Sequence, residues 1–139
     1  MNTALFGKLD YAFGEAGFTV TEEMHPQLLS EHKQTLYAVP KVKRTETAKR
    51  YFAQDGTYSQ EFIFTVCVTC MGTVCGFSDG ETLLASLRTA LELLNGENGC
   101  SVTRLETEEL TRDNATGRLT CKAIITLKGY QSYEGWELE

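Results

Sequence analysis

Hydrophobic and polar positions divide this chain into elements of two periods. Over residues 3–16 the apolar side chains fall at Leu5, Leu9, Ala12, Phe13 and Ala16, a spacing that puts them on one face of an amphipathic helix. Asn2 or Thr3 is a candidate cap for its start. Gly17 stands where a glycine closes a helix, with Phe18 placed to fold back on the last turn. Gly7 and Gly14 weaken the helix by roughly 1 kcal/mol each relative to alanine, so it depends on packing against a sheet. Phe18-Thr19-Val20-Thr21 reads as a short strand, or as the start of an irregular stretch that His25-Pro26 forces into an extended or turn conformation.

From residue 34 the period becomes two. Residues 34–42 predict a strand carrying Leu36, Tyr37, Ala38 and Val39. Pro40 offers no ladder donor, so this strand is expected to end there or to lie at a sheet edge. Residues 58–71 predict the principal strand, with Phe62, Phe64, Val66, Val68 and Cys70 on one face and Ile63 and Cys67 on the other. Apolar residues on both faces imply a central strand covered on both sides. Between these two strands, residues 43–57 are polar and charged, with Asp55-Gly56 as a turn signal. They form either a projecting loop or a long hairpin whose arms leave the core.

Ser78-Asp79-Gly80-Glu81 has the capping-box arrangement. The helix that follows carries Leu84, Leu87, Leu91 and Leu94 on one face, with Ala90 beside them, and Gly96 just past its end. Residues 100–110 and 118–127 predict a hairpin across Asp113-Asn114-Ala115-Thr116-Gly117. In its second arm Leu119, Cys121, Ala123, Ile125 and Leu127 face inward, while Thr120, Lys122 and Thr126 face out. Residues 129–139 read as a polar, aromatic and acidic tail. The whole is one α+β domain spanning 1–139: a mainly antiparallel sheet with two helices packed on it.

Composition narrows the function classes. A chain of 139 residues with 42% hydrophobic and 23% charged residues is long enough for one core and ordinary for a soluble protein. No apolar run reaches the ~18 residues of a membrane helix; the longest, 62–75, is interrupted by Thr65, Thr69, Gly72 and Thr73. Met1-Asn2-Thr3-Ala4 lacks the basic start of a signal peptide, so the cytoplasm is the expected compartment and no membrane partner is expected. The net charge of −6 argues against nucleic acid as the main partner, although Tyr51, Phe52 and Tyr58 beside the basic segment 41–50 are the kind of rings a single-strand groove uses.

The charge is uneven. Lys41, Lys43, Arg44, Lys49 and Arg50 crowd one short segment, and Glu106, Glu108 and Glu109 gather later with further acids at the C-terminal end. Opposite patches on one small domain suit head-to-tail contact between copies. Solvated loops are the plain alternative.

Candidate chemistry is sparse. Cys67-Val68-Thr69-Cys70, with Cys75 behind it, has a metal-like or redox-like spacing. Residues three apart on an extended strand point to opposite faces, so this pair does not converge unless the strand breaks. Core packing of reduced cysteines is the favoured reading over a metal or redox site. His25 and His32 have no nucleophile beside them in a recognisable motif, and no glycine-rich phosphate loop is present. No catalytic residue, cofactor or metal is therefore expected, and the protein is not expected to be an enzyme.

The order of elements resembles that of small tail-completion proteins of long-tailed phages and prophages, of the tail-terminator and minor-tail type. The likeness covers most of the chain: a helix at 3–16, strands at 36–42 and 62–71, a capped helix at 78–95, then a hairpin at 104–127. It rests on layout, not on a motif. It implies a structural role in the virion, assembled in the bacterial cytoplasm as a ring, commonly hexameric, that contacts other tail or head–tail connector proteins. It transfers no catalytic residues. The competing class is a cytosolic α+β module that holds a ligand or a partner protein without catalysis.

Overall fold

A computed structural model of the chain describes residues 3–23, 36–52, 54–74, 78–96, 100–113, 117–132 and 135–138. The first amphipathic pattern folds as helix α1, Thr3–Glu15, with Leu5, Leu9, Ala12 and Phe13 buried. Its end is a Schellman motif. The Phe18 amide donates to the Phe13 carbonyl at 3.0 Å and the Gly17 amide to that of Gly14 at 3.1 Å. Gly17 has φ +102°, a conformation that favours glycine. Phe18 then packs edge-on against Phe13, with ring centroids 5.7 Å apart. The two aromatic residues thus lock the helix end to the start of strand β1, Thr19–Val20.

The remaining elements are β2 (Tyr37–Phe52), β3 (Tyr58–Val74), helix α2 (Ser78–Leu94), β4 (Val102–Thr107), β5 (Thr111–Arg112), β6 (Arg118–Ser132) and β7 (Gly135–Leu138). Among the described residues seven strands form one sheet in the order β1-β2-β3-β6-β4, and β5 and β7 also pair with β6. Only β1–β2 is parallel. The architecture is α+β, as the periodicity predicts.

One face of the sheet carries the core. Ala38 on β2, Phe64, Val66, Val68 and Cys70 on β3, and Cys121, Ala123, Ile125 and Leu127 on β6 join the buried faces of α1 and α2 in a single cluster. Both helices lie on this inner face. The principal strand is central, between β2 and β6, as its two-sided pattern predicts. Among the described residues no helix lies on the outer face, where Cys67 is buried and Ile63, Thr65 and Thr69 are half-buried.

At Pro40 one of two open alternatives is decided, and two further expectations change. Pro40 does not end its strand, since β2 runs on to Phe52. Leu36 and Ala38 accept from Thr19 and Thr21 through their carbonyls. Backbone groups alternate sides along a strand, so Pro40 turns its missing donor to the same side, past the end of β1, where β2 is an edge. Residues 129–139 are not a tail beyond the fold. β6 continues to Ser132, β7 turns back on it with Gly129 opposite Leu138, and Leu138 packs against the core. On α2 the buried residues are Leu83, Leu87, Ala90 and Leu94, while Leu84 is 43% exposed and Leu91 is partly buried. The core-facing stripe is rotated from the one chosen by leucine spacing, because Leu83 and Leu84 compete for the same turn.

Candidate functional site

The predicted contact residues are distributed over two opposite edges of the sheet. The segment 43–57 forms the distal part of the β2–β3 hairpin. β3 remains paired to β6 as far as Gln60, opposite Gln131, so only the tip extends past the body. The turn is held by Asp55, whose carboxylate accepts from the Thr57 amide at 3.0 Å and from its hydroxyl at 2.6 Å. These bonds, the hydroxyl's first, hold the Asp55 carboxyl below its ordinary value. Gly56 supplies the left-handed residue, with φ +88°. A register shift between Thr47 and Arg50 leaves residues 48 and 49 outside the ladder. Gln60 compensates: its amide nitrogen donates to the carbonyls of Ala48 and Lys49, and its amide oxygen accepts from Arg50 at 3.1 Å. The Tyr51 hydroxyl donates to Glu61 at 2.9 Å.

These bonds give the tip a defined shape and leave its aromatic residues outward. Phe52 is 72% exposed, with Tyr51 and Tyr58 also exposed. Phe52 and Tyr58 lie 5.9 Å apart, and the Arg50 guanidinium sits 5.5 Å over the Tyr58 ring.

Lys41, Lys43, Arg44, Lys49 and Arg50 are all exposed on β2. Beyond its short pairing with β1, that strand has no further partner on its outer edge among the described residues. A second register shift, between Val42 and Arg44, places Arg44 opposite Thr65 on the outer face. Arg44 bridges Glu46 along the strand. Glu106 is on β4, the strand at the other edge, where Arg104 bridges it. Glu108 and Glu109 follow, exposed. Five cations against one carboxylate therefore mark residues 41–50, and three carboxylates against one cation mark 102–110. The two sets do not meet within the molecule as a compact cluster. Lys43, Arg44, Arg104 and Glu106 rim one shallow depression on the outer face, floored by Thr65, Ile124 and Thr126.

On the inner face, α2 rests over β3 and β6 and does not reach the outermost strand. A groove of about 780 Å³ remains between α2 and β4, lined by Leu84, Leu87, Leu91, Val102 and Leu105 together with Arg88, Glu92 and Arg104. Leu105 is 44% exposed there. Sequence reasoning missed this groove. Its only signal was Leu84, a leucine beyond what one core-facing stripe requires.

The cysteines behave as packing residues. Cys67, Cys70, Cys100 and Cys121 are buried free thiols; Cys75 lies outside the described residues. Cys70 is on the inner face, and Cys67 faces outward, so the two do not converge. The register sets Cys70 directly opposite Cys121, a pairing that spacing alone does not reveal. The Cys121 thiol donates to the Glu108 carbonyl at 3.3 Å. Burial pushes the Cys70 and Cys121 thiols up, and takes Cys100 to about 11. Among the described residues no three His, Cys, Asp or Glu side chains group as a metal site, and no helix is long and apolar enough to cross a membrane. His25 and His32 lie outside the described residues.

The buried thiols set an alkaline expectation. An unfolded thiol ionises near 9.0 and folded Cys100 near 11, so the folded state holds a proton that the unfolded chain has lost. This contribution to stability is complete below pH 9 and disappears between pH 9 and 11. Unfolding free energy measured across that window should fall less steeply for Cys100→Ala than for the parent. Thiol titration should find five groups in the unfolded, non-reduced chain and only slow reaction of Cys67, Cys70, Cys100 and Cys121 in the native one. Stoichiometric zinc by elemental analysis would overturn the packing role.

One further buried group closes the strand ends. Arg118 is fully buried, lies 5.3 Å over the Tyr37 ring, and donates to the Gly72 carbonyl at 2.9 Å. It ties β6 to the ends of β2 and β3. Desolvation lowers its pKa, opposed by Tyr37.

No protein-family model matches the chain, and no curated protein matches its sequence.

Proposed function

We propose that this chain is a structural tail-completion protein of a long-tailed phage or prophage, a tail terminator or minor tail protein, and that its copies close into a ring. It works by assembly and not by catalysis, contacts other tail or head–tail connector proteins, and ends in the virion after assembly in the bacterial cytoplasm. The observation that carries the reading is the polarity of the sheet: a cationic stretch along β2 and an acidic one, Glu106, Glu108 and Glu109, at the end of β4 and just beyond it, towards opposite edges of one sheet. Two different complementary patches give a heterologous, head-to-tail contact, which closes into a ring when the rotation per step allows. An isologous dimer would instead need one self-complementary patch.

The element order supports the phage assignment through its resemblance to tail-completion proteins. Light scattering on size-exclusion fractions of the full chain should give a single assembly of several copies at low salt, with a central opening in negative-stain images. Mass spectrometry of tails purified from an induced host should detect the chain. A monomer at every salt concentration would overturn the ring. A stable ring absent from purified tails would overturn the phage role alone.

The groove beside α2 favours the second reading, a cytosolic ligand- or protein-binding module. Its volume falls in the range of small-molecule sites. A monomer that binds one ligand there supports that class.

A further inference from the structure

Strand register gathers cations on the outer face of the sheet. Arg44 pairs with Thr65, Thr65 with Thr126, and Thr126 with Arg104, so four side chains form one row across β2, β3, β6 and β4. The two arginines stand three strand spacings apart at the backbone, about 14 Å. Both nevertheless rim one depression of about 410 Å³, floored by the two threonines. Each guanidinium is bridged by the carboxylate two residues ahead on its own strand, Glu46 and Glu106 respectively. A guanidinium carries five N–H donors in a fixed fork, so one bridge sets its direction and leaves donors for the hollow. Among the described residues neither threonine hydroxyl has a hydrogen-bond partner. The adjoining rows keep the local charge positive, against the net charge of the chain. Lys41 lies one row away, opposite Cys67, and Lys128 one row the other way, opposite Ile63 and Glu46 beyond it. Lys43 stands in the register shift beside Arg44 and also lines the hollow. Across these three rows five cations, Lys41, Lys43, Arg44, Arg104 and Lys128, face two carboxylates, Glu46 and Glu106.

We propose that this depression binds a phosphoryl group, as inorganic phosphate or as the phosphate end of a small soluble phosphomonoester. Its oxygens accept from Arg44 on one side, from Arg104 on the other and from the Thr65 and Thr126 hydroxyls below, with the Lys43 ammonium at the rim. The arrangement of donors selects the anion. A planar carboxylate is satisfied by one guanidinium through two parallel bonds. A tetrahedral dianion has acceptor oxygens on every side and needs donors that converge from several directions, which two facing guanidiniums and two hydroxyls supply. The hollow is shallow, so the phosphoryl end is held and the rest of a larger ligand stays in water. Contacts this exposed are screened by salt, and affinity should fall as ionic strength rises. The site goes beyond the ring reading and does not require assembly: Thr65, Thr126 and Arg104 have no role in that contact.

Isothermal titration calorimetry of the full chain, at constant low ionic strength, should show saturable binding of inorganic phosphate and, separately, of a nucleoside monophosphate. Equal affinity for the two assigns recognition to the phosphoryl group alone; tighter binding of the monophosphate adds contacts from the rest of that ligand. Arg44→Gln and Arg104→Gln, both at exposed positions, should each weaken phosphate binding about tenfold or more, the loss expected when charge-assisted bonds are removed. Thr65→Val keeps a β-branched side chain in the strand and should weaken binding several-fold. Arg88→Gln, on the opposite face of the sheet, should bind like the parent. Light scattering on the same samples reads assembly, so loss of the site is distinguished from loss of a ring. No saturable binding, binding that acetate reproduces at the same ionic strength, an equal loss in Arg88→Gln, or both Arg44→Gln and Arg104→Gln binding like the parent would overturn the site and leave the ring reading as it stands.

Discussion

Leu87→Ala is expected to lower the unfolding free energy by ~2–5 kcal/mol, and Leu84→Ala by about 1 kcal/mol or less. Leu87 is 3% exposed in the cluster that joins α2 to β3 and β6. Removing its branched end leaves a cavity that the sheet beneath cannot fill, since that floor is fixed by ladder pairing on both sides of β3. Leu84 is one turn earlier but points into the open groove, where water replaces the lost atoms. Urea unfolding of the two variants decides the orientation of α2. Equal losses would mean that Leu84 is as much core as Leu87 and that the groove is not open.

Reversing Lys43, Arg44 and Lys49 to glutamate should shift the assembly towards monomer at low salt while leaving the monomer folded. All three are exposed on β2, so their replacement costs little folding energy. The substitution turns the cationic edge acidic and sets it against Glu106, Glu108 and Glu109 of a neighbour. Rim charges of this kind govern encounter and register more than final affinity. Association of the parent should accordingly weaken as salt rises, because exposed charges are screened over about 8–10 Å at 0.1–0.15 M. Light scattering and circular dichroism on the same samples read both effects. Assembly of the triple variant indistinguishable from the parent at low salt would make the segment an ordinary solvated arm.

The two tests address separate layers of the molecule. The first concerns the inner face, where apolar burial holds helices to sheet and depends little on salt. The second concerns the edges, where the sheet presents charge and, among the described residues, backbone with no strand partner. An exposed long edge is a hazard for indiscriminate pairing, and dense charge is one of the ways proteins manage it. The cations of β2 suit both demands: they discourage random strand addition, and in the proposed assembly they would meet a partner carrying acids in the matching place.

Local patterns determined a good deal of this protein. The α1 helix and its Schellman end were legible because Phe13, Gly17 and Phe18 act within six residues of one another. The start of α2, the centrality of β3, and the inward set Cys121, Ala123, Ile125 and Leu127 were legible for a similar reason, since burial on one side of a regular element imposes a fixed period. The segregation of basic and acidic residues was visible too, because charge can be counted without a fold. Tertiary structure decided the rest. Leucine spacing on α2 admitted two overlapping stripes, and only the position of the helix over β3 and β6 selected Leu83 over Leu84. Pro40 could end a strand or continue along an edge, and the side to which its backbone turns depends on β1 pairing two residues earlier. β7 was hidden because a four-residue strand has almost no period of its own; it exists by pairing to β6. The opposition of Cys70 and Cys121 and the groove under α2 belong to the same class. Each is a relation between elements far apart in sequence, and no local pattern encodes where one element ends up against another.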